Sequence, residues 1–345
     1  MTNILCDKLG IRYPILQGPM AWASDSKLAA SVSNAGGLGI MGLGFCPPAV
    51  FEAEIRAART LTEEPFGLNI ITCLPDAEKL LEITLRQGIR VVEIETFPAY
   101  FDTLPRYVEA LRSHGAVTIG KASSVSEAKV FEEAGVDFVS VKGYDGGGHI
   151  FGLTGTFSLI PQVVDAVSIP VINSSGVADG RGVAASFMLG AAGVEVGSRF
   201  LVAEECPIHA NYKKAIVAAR EGDTVLTGVS AGDGVRGIRN RLTDEMLRLE
   251  RELPPEEAAE RIREIGRGVL RGAAVDGDVE NGSLVVGQNL GLLDAILPAS
   301  VIMQELIAGY LRVAPREREF GRPDLLRKRA SGETGRHAAS SGENP

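Results

Sequence analysis

At 345 residues and 45% apolar composition, the chain is long enough to bury a large core, as one α/β barrel or as two ordinary domains. A net charge of -9 argues against a broad nucleic-acid or anionic-membrane surface, since both need clustered Lys and Arg, so an anionic ligand must meet a local cationic spot. No apolar run approaches the roughly 20 residues of a membrane span, and Cys6, Cys46, Cys73 and Cys206 show no Cys-x-x-Cys spacing and no histidine cluster beside them. Together these features predict a cytoplasmic protein with reduced thiols and no metal site.

From Pro14 onward, short apolar runs bounded by Gly, Pro or polar residues recur along the chain. Strands are predicted near 14–17, 37–41, 66–71, 89–94, 116–120, 136–142, 169–173 and 193–197. Ser24 to Ala35, Pro48 to Leu61, Asp76 to Gln87 and Ser124 to Ala134 have the composition and length of single crossover helices. Ser124-Val-Ser-Glu127 has the form of a capping box. Eight strands, each followed by a helix, within about 200 residues match the arithmetic of an α/β fold of the (β/α)8 TIM barrel type. A doubly wound sheet is the alternative.

After Phe200 the rhythm changes. Glu221 to Arg271 is charged and helical, with Pro254-Pro255 opening a helix over Glu256 to Arg267. It reads as a small helical lid over 216–271, inserted near the C-terminal end of a barrel formed by 1–215 and 272–314. Gly277 to Gly291 is a glycine-rich loop, Ala299 to Leu311 an apolar helix, and 315–345 a charged, then Ser, Gly and Ala-rich stretch expected to be a mobile tail.

In such barrels ligands lie at the carboxyl ends of the strands. The first strand ends in Gln17-Gly18-Pro19-Met20, the second in Gly42-Leu-Gly44 and the third in Asn69; the sixth ends in Gly143-Tyr-Asp-Gly-Gly-Gly-His149, whose glycines permit a tight turn beside a flat or anionic ligand. His149 offers that loop an imidazole, the side chain suited to proton transfer near neutrality; a structural histidine after a turn is the plainer reading. The seventh strand ends in Asn173-Ser-Ser-Gly176 and the eighth in Gly197-Ser-Arg199, ahead of helices expected near Asp179 and Glu204. Such amides, backed by helix dipoles, form a phosphate cradle in many barrel enzymes, although two ordinary turns give the same pattern. With an imidazole and an amide-rich mouth opposite, a flat phosphorylated cofactor fits, and flavin mononucleotide (FMN) is the candidate.

Several segments carry a family resemblance over residues 1 to about 312. They are Tyr13-Pro-Ile-Leu-Gln-Gly-Pro-Met-Ala-Trp22, Asn34-Ala-Gly-Gly-Leu-Gly-Ile40, Pro65-Phe-Gly-Leu-Asn69, Gly147-Gly-His149, Ile160-Pro-Gln-Val-Val-Asp-Ala-Val167, Gly176-Val-Ala-Asp-Gly180 and Gly197-Ser-Arg-Phe200. Jointly they resemble the nitronate monooxygenase family, which includes flavin-dependent enoyl-acyl carrier protein reductases. His209-Ala-Asn-Tyr-Lys213, Val235-Arg-Gly-Ile-Arg239 and Gly277-Asp-Val-Glu-Asn-Gly-Ser283, followed by Gly287-Gln288, are closer to the reductase branch.

The resemblance implies a barrel that binds FMN, with His149 exchanging a proton with substrate. Gln17, Gly18, Pro19, Met20 and Asn69 would contact the flavin, with Gly147 and Gly148 beside it. Ser175, Gly176, Gly197 and Ser198 would hold its phosphate, and Gln288 would lie close by. It further implies NADH or NADPH as reductant and an enoyl thioester of acyl carrier protein or coenzyme A as substrate, or in the monooxygenase case an alkyl nitronate oxidised with O2. A homodimer is a candidate assembly. A non-redox barrel binding a phosphorylated ligand is the third reading.

The chain also departs from that family. Ser175 stands where a phosphate-loop glycine is usual, so its φ must be negative to keep the amide contact. Lys142 replaces an acid before the glycine loop, and the fourth strand ends Glu93-Ile-Glu95-Thr-Phe97. Alternation places Glu93 and Glu95 on one face, with Lys121 and Lys142 at the ends of the neighbouring strands. The four read either as an ion-pair cluster lining the barrel mouth, with Lys121 and Lys142 near the flavin, or as solvated rim charges. Phe97, Tyr100 and Phe101 read as a substrate wall or as a helix docked on the barrel.

Overall fold

The computed structural model describes residues 3–232 and 234–314, so the predicted tail at 315–345 lies outside the described residues. Eight parallel strands close into a barrel: β1 (Ile15–Gln17), β2 (Leu38–Met41), β3 (Phe66–Ile71), β4 (Val91–Glu95), β5 (Val117–Ala122), β6 (Phe138–Val141), β7 (Val171–Asn173) and β8 (Gly193–Val196). Closure comes from β8 pairing with β1, Glu195 lying in register with Leu16. Helices α1 (Ile4–Leu9), α2 (Ser26–Asn34), α3 (Pro48–Leu61), α4 (Ala77–Arg86), α5 (Leu104–Ser113), α6 (Val125–Glu133), α7 (Thr156–Ala166) and α8 (Gly180–Met188) precede or connect the strands. The TIM barrel expected from the strand rhythm is the fold.

The barrel interior has two kinds of layer. Leu16, Leu38, Ile40, Val91, Ile119, Phe138 and Ile172 form an apolar plug with Leu5, Leu9 and Ile11 from the α1 end. Two positions further along the same strand faces, Val91 gives way to Glu93, Ile119 to Lys121, Phe138 to Ser140 and Ile172 to Ser174. A period of two therefore turns an oily plug into a polar floor within one step along each strand. On the outer face, Phe51, Ile55, Leu80, Tyr107, Phe131 and Ile160 bury the helix layer against the sheet.

Helix starts follow local chemistry. Asp25 accepts from the amides of Lys27 and Leu28 to cap α2, and Ser124 accepts from Glu127 N to cap α6. The reciprocal half of the expected capping box is displaced by one residue, because the Glu127 carboxylate accepts from Ser123 N at 2.6 Å.

Beyond β8 the structure corrects two expectations. The helix expected near Glu204 is instead a short α9 (Ser198–Leu201) directly after Gly197 and a later α10 (Ala210–Ala218). The stretch read as a helical lid does not begin as helix: β9 (Thr224–Thr227) and β10 (Val235–Ile238) form an antiparallel hairpin, and β10 pairs onward with Gly148–His149. Only then come α11 (Arg241–Glu252) and α12 (Pro255–Ile265), which bury a small core of Leu242, Met246, Leu249 and Ile262. A short α13 (Val269–Arg271) leads into the returning glycine-rich segment, and α14 (Ala299–Val313) packs on α8 and α2. Among the described residues, no helix is long and apolar enough to cross a membrane.

Candidate active site

The carboxyl ends of the strands open into a narrow cleft of about 130 Å³. Gly18, Pro19 and Met20 line it from β1, Glu93 and Glu95 from β4, Lys121 from β5, and Lys142 and Asp145 to Gly147 from β6. Ser174 to Val177 follow β7, while Glu195, Gly197 and Ser198 come from β8; Val285 to Gly287 and Asn289 cover it from the returning segment. That segment is strapped down where Gly287 N donates to Ser198 Oγ at 2.9 Å.

Several predicted residues take other places. Gln17 follows the inward-facing Leu16, so it points out of the barrel; its Nε2 donates to Ser24 Oγ at 2.9 Å and to Ile40 O at 3.2 Å, bracing the Gly18–Ser24 loop. Asn69 is buried in the barrel wall, in register with Glu93. Gln288 is outside the cleft lining, its backbone N–H donating to Asp145 O at 2.9 Å, and its neighbour Asn289 takes the lining position. Gly148 and His149 sit beside the cleft on the segment that pairs with β10.

Ser175 answers the question its sequence raised. Its φ is not positive, whereas Gly176 sits at φ +71. Its amide donates to Asn173 Oδ1 at 3.1 Å and its hydroxyl accepts from Gly143 N at 2.7 Å, so it braces two loops against each other. Nor does the α8 N-terminus face the cleft with open amides, because Asp179 caps Arg181 N and Gly182 N. An anion at this end of the cleft would therefore meet the loop amides around Gly176 and Gly197.

The charges on strands four to six lie inside the barrel and not on a solvated rim. Lys121 Nζ hydrogen-bonds Glu195 Oε1, lies 3.4 Å from Glu93 Oε1 and donates to Ser174 Oγ at 2.7 Å. Ser140 Oγ donates to Glu195 Oε2. Burial works against the Lys121 ammonium, and the carboxylates of Glu195 and Glu93 overcome it, so its pKa stands above the ordinary lysine range. Lys142 lies closer to the opening; burial pushes its pKa down despite Glu95.

Sequence reasoning missed Glu195. Its signal was there: a lone acid in Gly193-Val-Glu-Val-Gly197, two positions from glycines on the inward face. Asp145 was also missed, although it lies within the quoted glycine motif; its Oδ1 accepts from Thr156 N at 2.8 Å and Thr156 Oγ1 at 2.7 Å, fixing the turn to α7.

An aromatic wall leads to the imidazole. The His149 ring stacks on Phe151 with centroids 6.0 Å apart, and Phe151 meets Phe97 edge-on at 5.2 Å. Phe101 instead docks on Phe131 of α6 at 6.4 Å, as the docked-helix reading expects for that ring.

The residues fit a flavin. Asn289, in the cleft lining, has a buried Oδ1 without a protein partner, hydrogen-bonding capacity of the kind a polar ring or sugar chain would use. At Gly197 an added Cβ would meet only Met20 Sδ, at 3.8 Å, so it would project into open cleft space.

A family model described as nitronate monooxygenase matches residues 2–309. The chain belongs to the nitronate monooxygenase family. A probable nitronate monooxygenase of Staphylococcus aureus is 33% identical over 88% of this chain and 96% of its own length. FabK from Thermotoga maritima is similar in structure, with a TM-score of 0.85 and 37% identity over 95% of this chain and 99% of its own. A nitroalkane oxidase from Streptomyces ansochromogenes aligns at TM-score 0.76 and 27% identity, over 89% of this chain and 98% of its own. As a member of this family the protein is a flavin-dependent oxidoreductase.

Proposed function

We propose that this enzyme reduces an activated alkene, an enoyl thioester of acyl carrier protein or coenzyme A, with NADH or NADPH as reductant and FMN as cofactor. The observation that carries this reading is the Phe97–Phe151 wall that ends on His149 beside the glycine turn lining the cleft. It offers an acyl chain an apolar face leading to a group able to pass a proton. The likeness to FabK, a flavin-dependent enoyl-acyl carrier protein reductase, supports the same choice.

Bound FMN supplies the transfer of two electrons between reductant and alkene. The chain supplies the rest. Loop amides at Gly176 and Gly197 would hold the phosphate, and Met20 and Asn289, also in the lining, would contact the rest of the cofactor. Lys142 in the cleft lining would offer a donor to negative charge that develops there, while Lys121 is held by Glu195 on the floor. His149 delivers a proton to the α-carbon of the thioester. The Gly287–Ser198 strap keeps the returning segment over the cleft and limits water.

Oxidation of an alkyl nitronate is the second reading, favoured by Lys142 in the cleft lining, a donor that suits an anionic substrate, and by the Staphylococcus relatives. Anaerobic mixing separates the two. Bleaching of the yellow enzyme by NADH or NADPH, followed by recovery of colour on adding an enoyl-coenzyme A, is the expected result. Bleaching by a nitronate alone overturns it in favour of the monooxygenase.

A further inference from the structure

We propose that Glu93 and Glu195 share a single proton on the floor of the cleft, which makes Glu93 a positioning residue: un-ionised, it leaves Glu195 as the sole full counter-charge of Lys121 and keeps the floor neutral.

The asymmetry of the pair carries the argument. Glu195 accepts from Lys121 Nζ, from Ser140 Oγ and, at 3.1 Å, from Ser174 Oγ, which is what an ionised carboxylate needs. Glu93 is completely buried, yet among the described residues neither of its oxygens has a hydrogen-bond donor and its one ion-pair partner is Lys121 at 3.4 Å, already engaged by Glu195. Two ionised carboxylates on one lysine inside a barrel leave an uncompensated charge. A proton on Glu93 removes that charge and creates the missing donor, an O–H directed to Glu195.

The groups facing Glu93 agree. Burial and then the Glu195 charge push its carboxyl well above the ordinary range, with Lys121 opposing and Glu95 on the same strand adding to the rise. Burial opposes ionisation of Glu195 too, but Lys121 and Ser140 hold its pKa below the ordinary value. Lys142 on the next strand has its own charge disfavoured by burial, so it does not act as a second full counter-ion. Asn69, in register on β3, is neutral.

Raising the pH through the pair's upper titration releases the proton to water in the cleft and turns the floor net negative. An electron-rich ring above it is then held less tightly. This second step rests on a flavin occupying the cleft; the shared proton does not.

The test uses full-length protein with glutamate labelled by ¹³C at the side-chain carboxyl. One glutamate resonance at the un-ionised position at neutral pH, lost in Glu93→Gln, is the expected result, and its absence from the wild type overturns the proposal without any variant. FMN binding to the apoprotein, followed by flavin fluorescence, should weaken about tenfold more from neutral to alkaline pH in the wild type than in Glu93→Gln, a comparison that cancels titration of the ligand itself. Parallel pH profiles in the two proteins would overturn the positioning role even with the resonance assigned. Should Glu93→Gln not fold, Ser140→Ala takes its place. Removing a donor from Glu195 must raise that residue's proton affinity and shift the labelled resonance's titration, and an unmoved titration counts against the pair.

Discussion

Lys121 is the side chain on which the charge balance of the cleft turns, since it contacts both buried carboxylates. Lys121→Met should therefore destabilise the fold by about 3–5 kcal/mol in urea titrations, the cost of stranding a buried charge. The pH dependence has a definite sign. Glu195, with its pKa depressed by Lys121, contributes stability that is present above the ordinary glutamate value and lost as pH falls through its folded one. Thermal melts of the wild type should show that acid limb, and Glu195→Gln should flatten it. Lys142 makes no ion pair in the described structure, so Lys142→Met should spare stability but make the flavin reduction potential more negative; an unchanged potential and spectrum would remove it from the flavin's surroundings. For His149→Ala, bleaching by NAD(P)H should persist while recovery by the enoyl thioester slows by about 10²–10⁴-fold, the usual worth of a general acid.

Among the secondary-structure elements, the barrel strands were legible because each is short, apolar and bounded by turn residues, and α3 was read with its observed bounds because Pro48 opens it. The hairpin β9–β10 was not legible. Its strands are brief and set in a charged stretch, and what fixes them is pairing with one another and with Gly148–His149, distant in sequence. The same holds for Gln17 and Glu195, where only the pleat of a closed barrel decides which side chain points inward. The cap hangs on α11, whose Asn240 forms a capping box with Thr243 and donates to Val279 O and Gly282 O, both at 2.8 Å. Asn240→Ala should cost about 1–2 kcal/mol, read by denaturant melts, and should loosen the returning segment that covers the cleft.

Across the whole molecule, the barrel and the returning segment 285–289 converge on one cleft, with the hairpin paired to Gly148–His149 beside it, so ligand binding and global stability are linked. Addition of FMN at a hundredfold excess over its dissociation constant should stabilise the fold by about 2.7 kcal/mol, seen as a rise in melting temperature. Gly197→Val, which fills open cleft space, should abolish most of that rise while leaving the melt of the apoprotein little changed. A rise of the same size in the variant would place the flavin elsewhere.

The amino-acid order alone specified the eightfold strand rhythm, the glycine turns after β6, β7 and β8, and the family likeness, because these depend on local periodicity and on residues close in the chain. Which charges meet inside the barrel, that Ser175 braces a loop, and that a hairpin flanks His149 were decided by closure of the sheet. Closure sets the inward faces of β1, β4, β5 and β8 against one another, and no local pattern encodes a distance between strands so far apart in sequence.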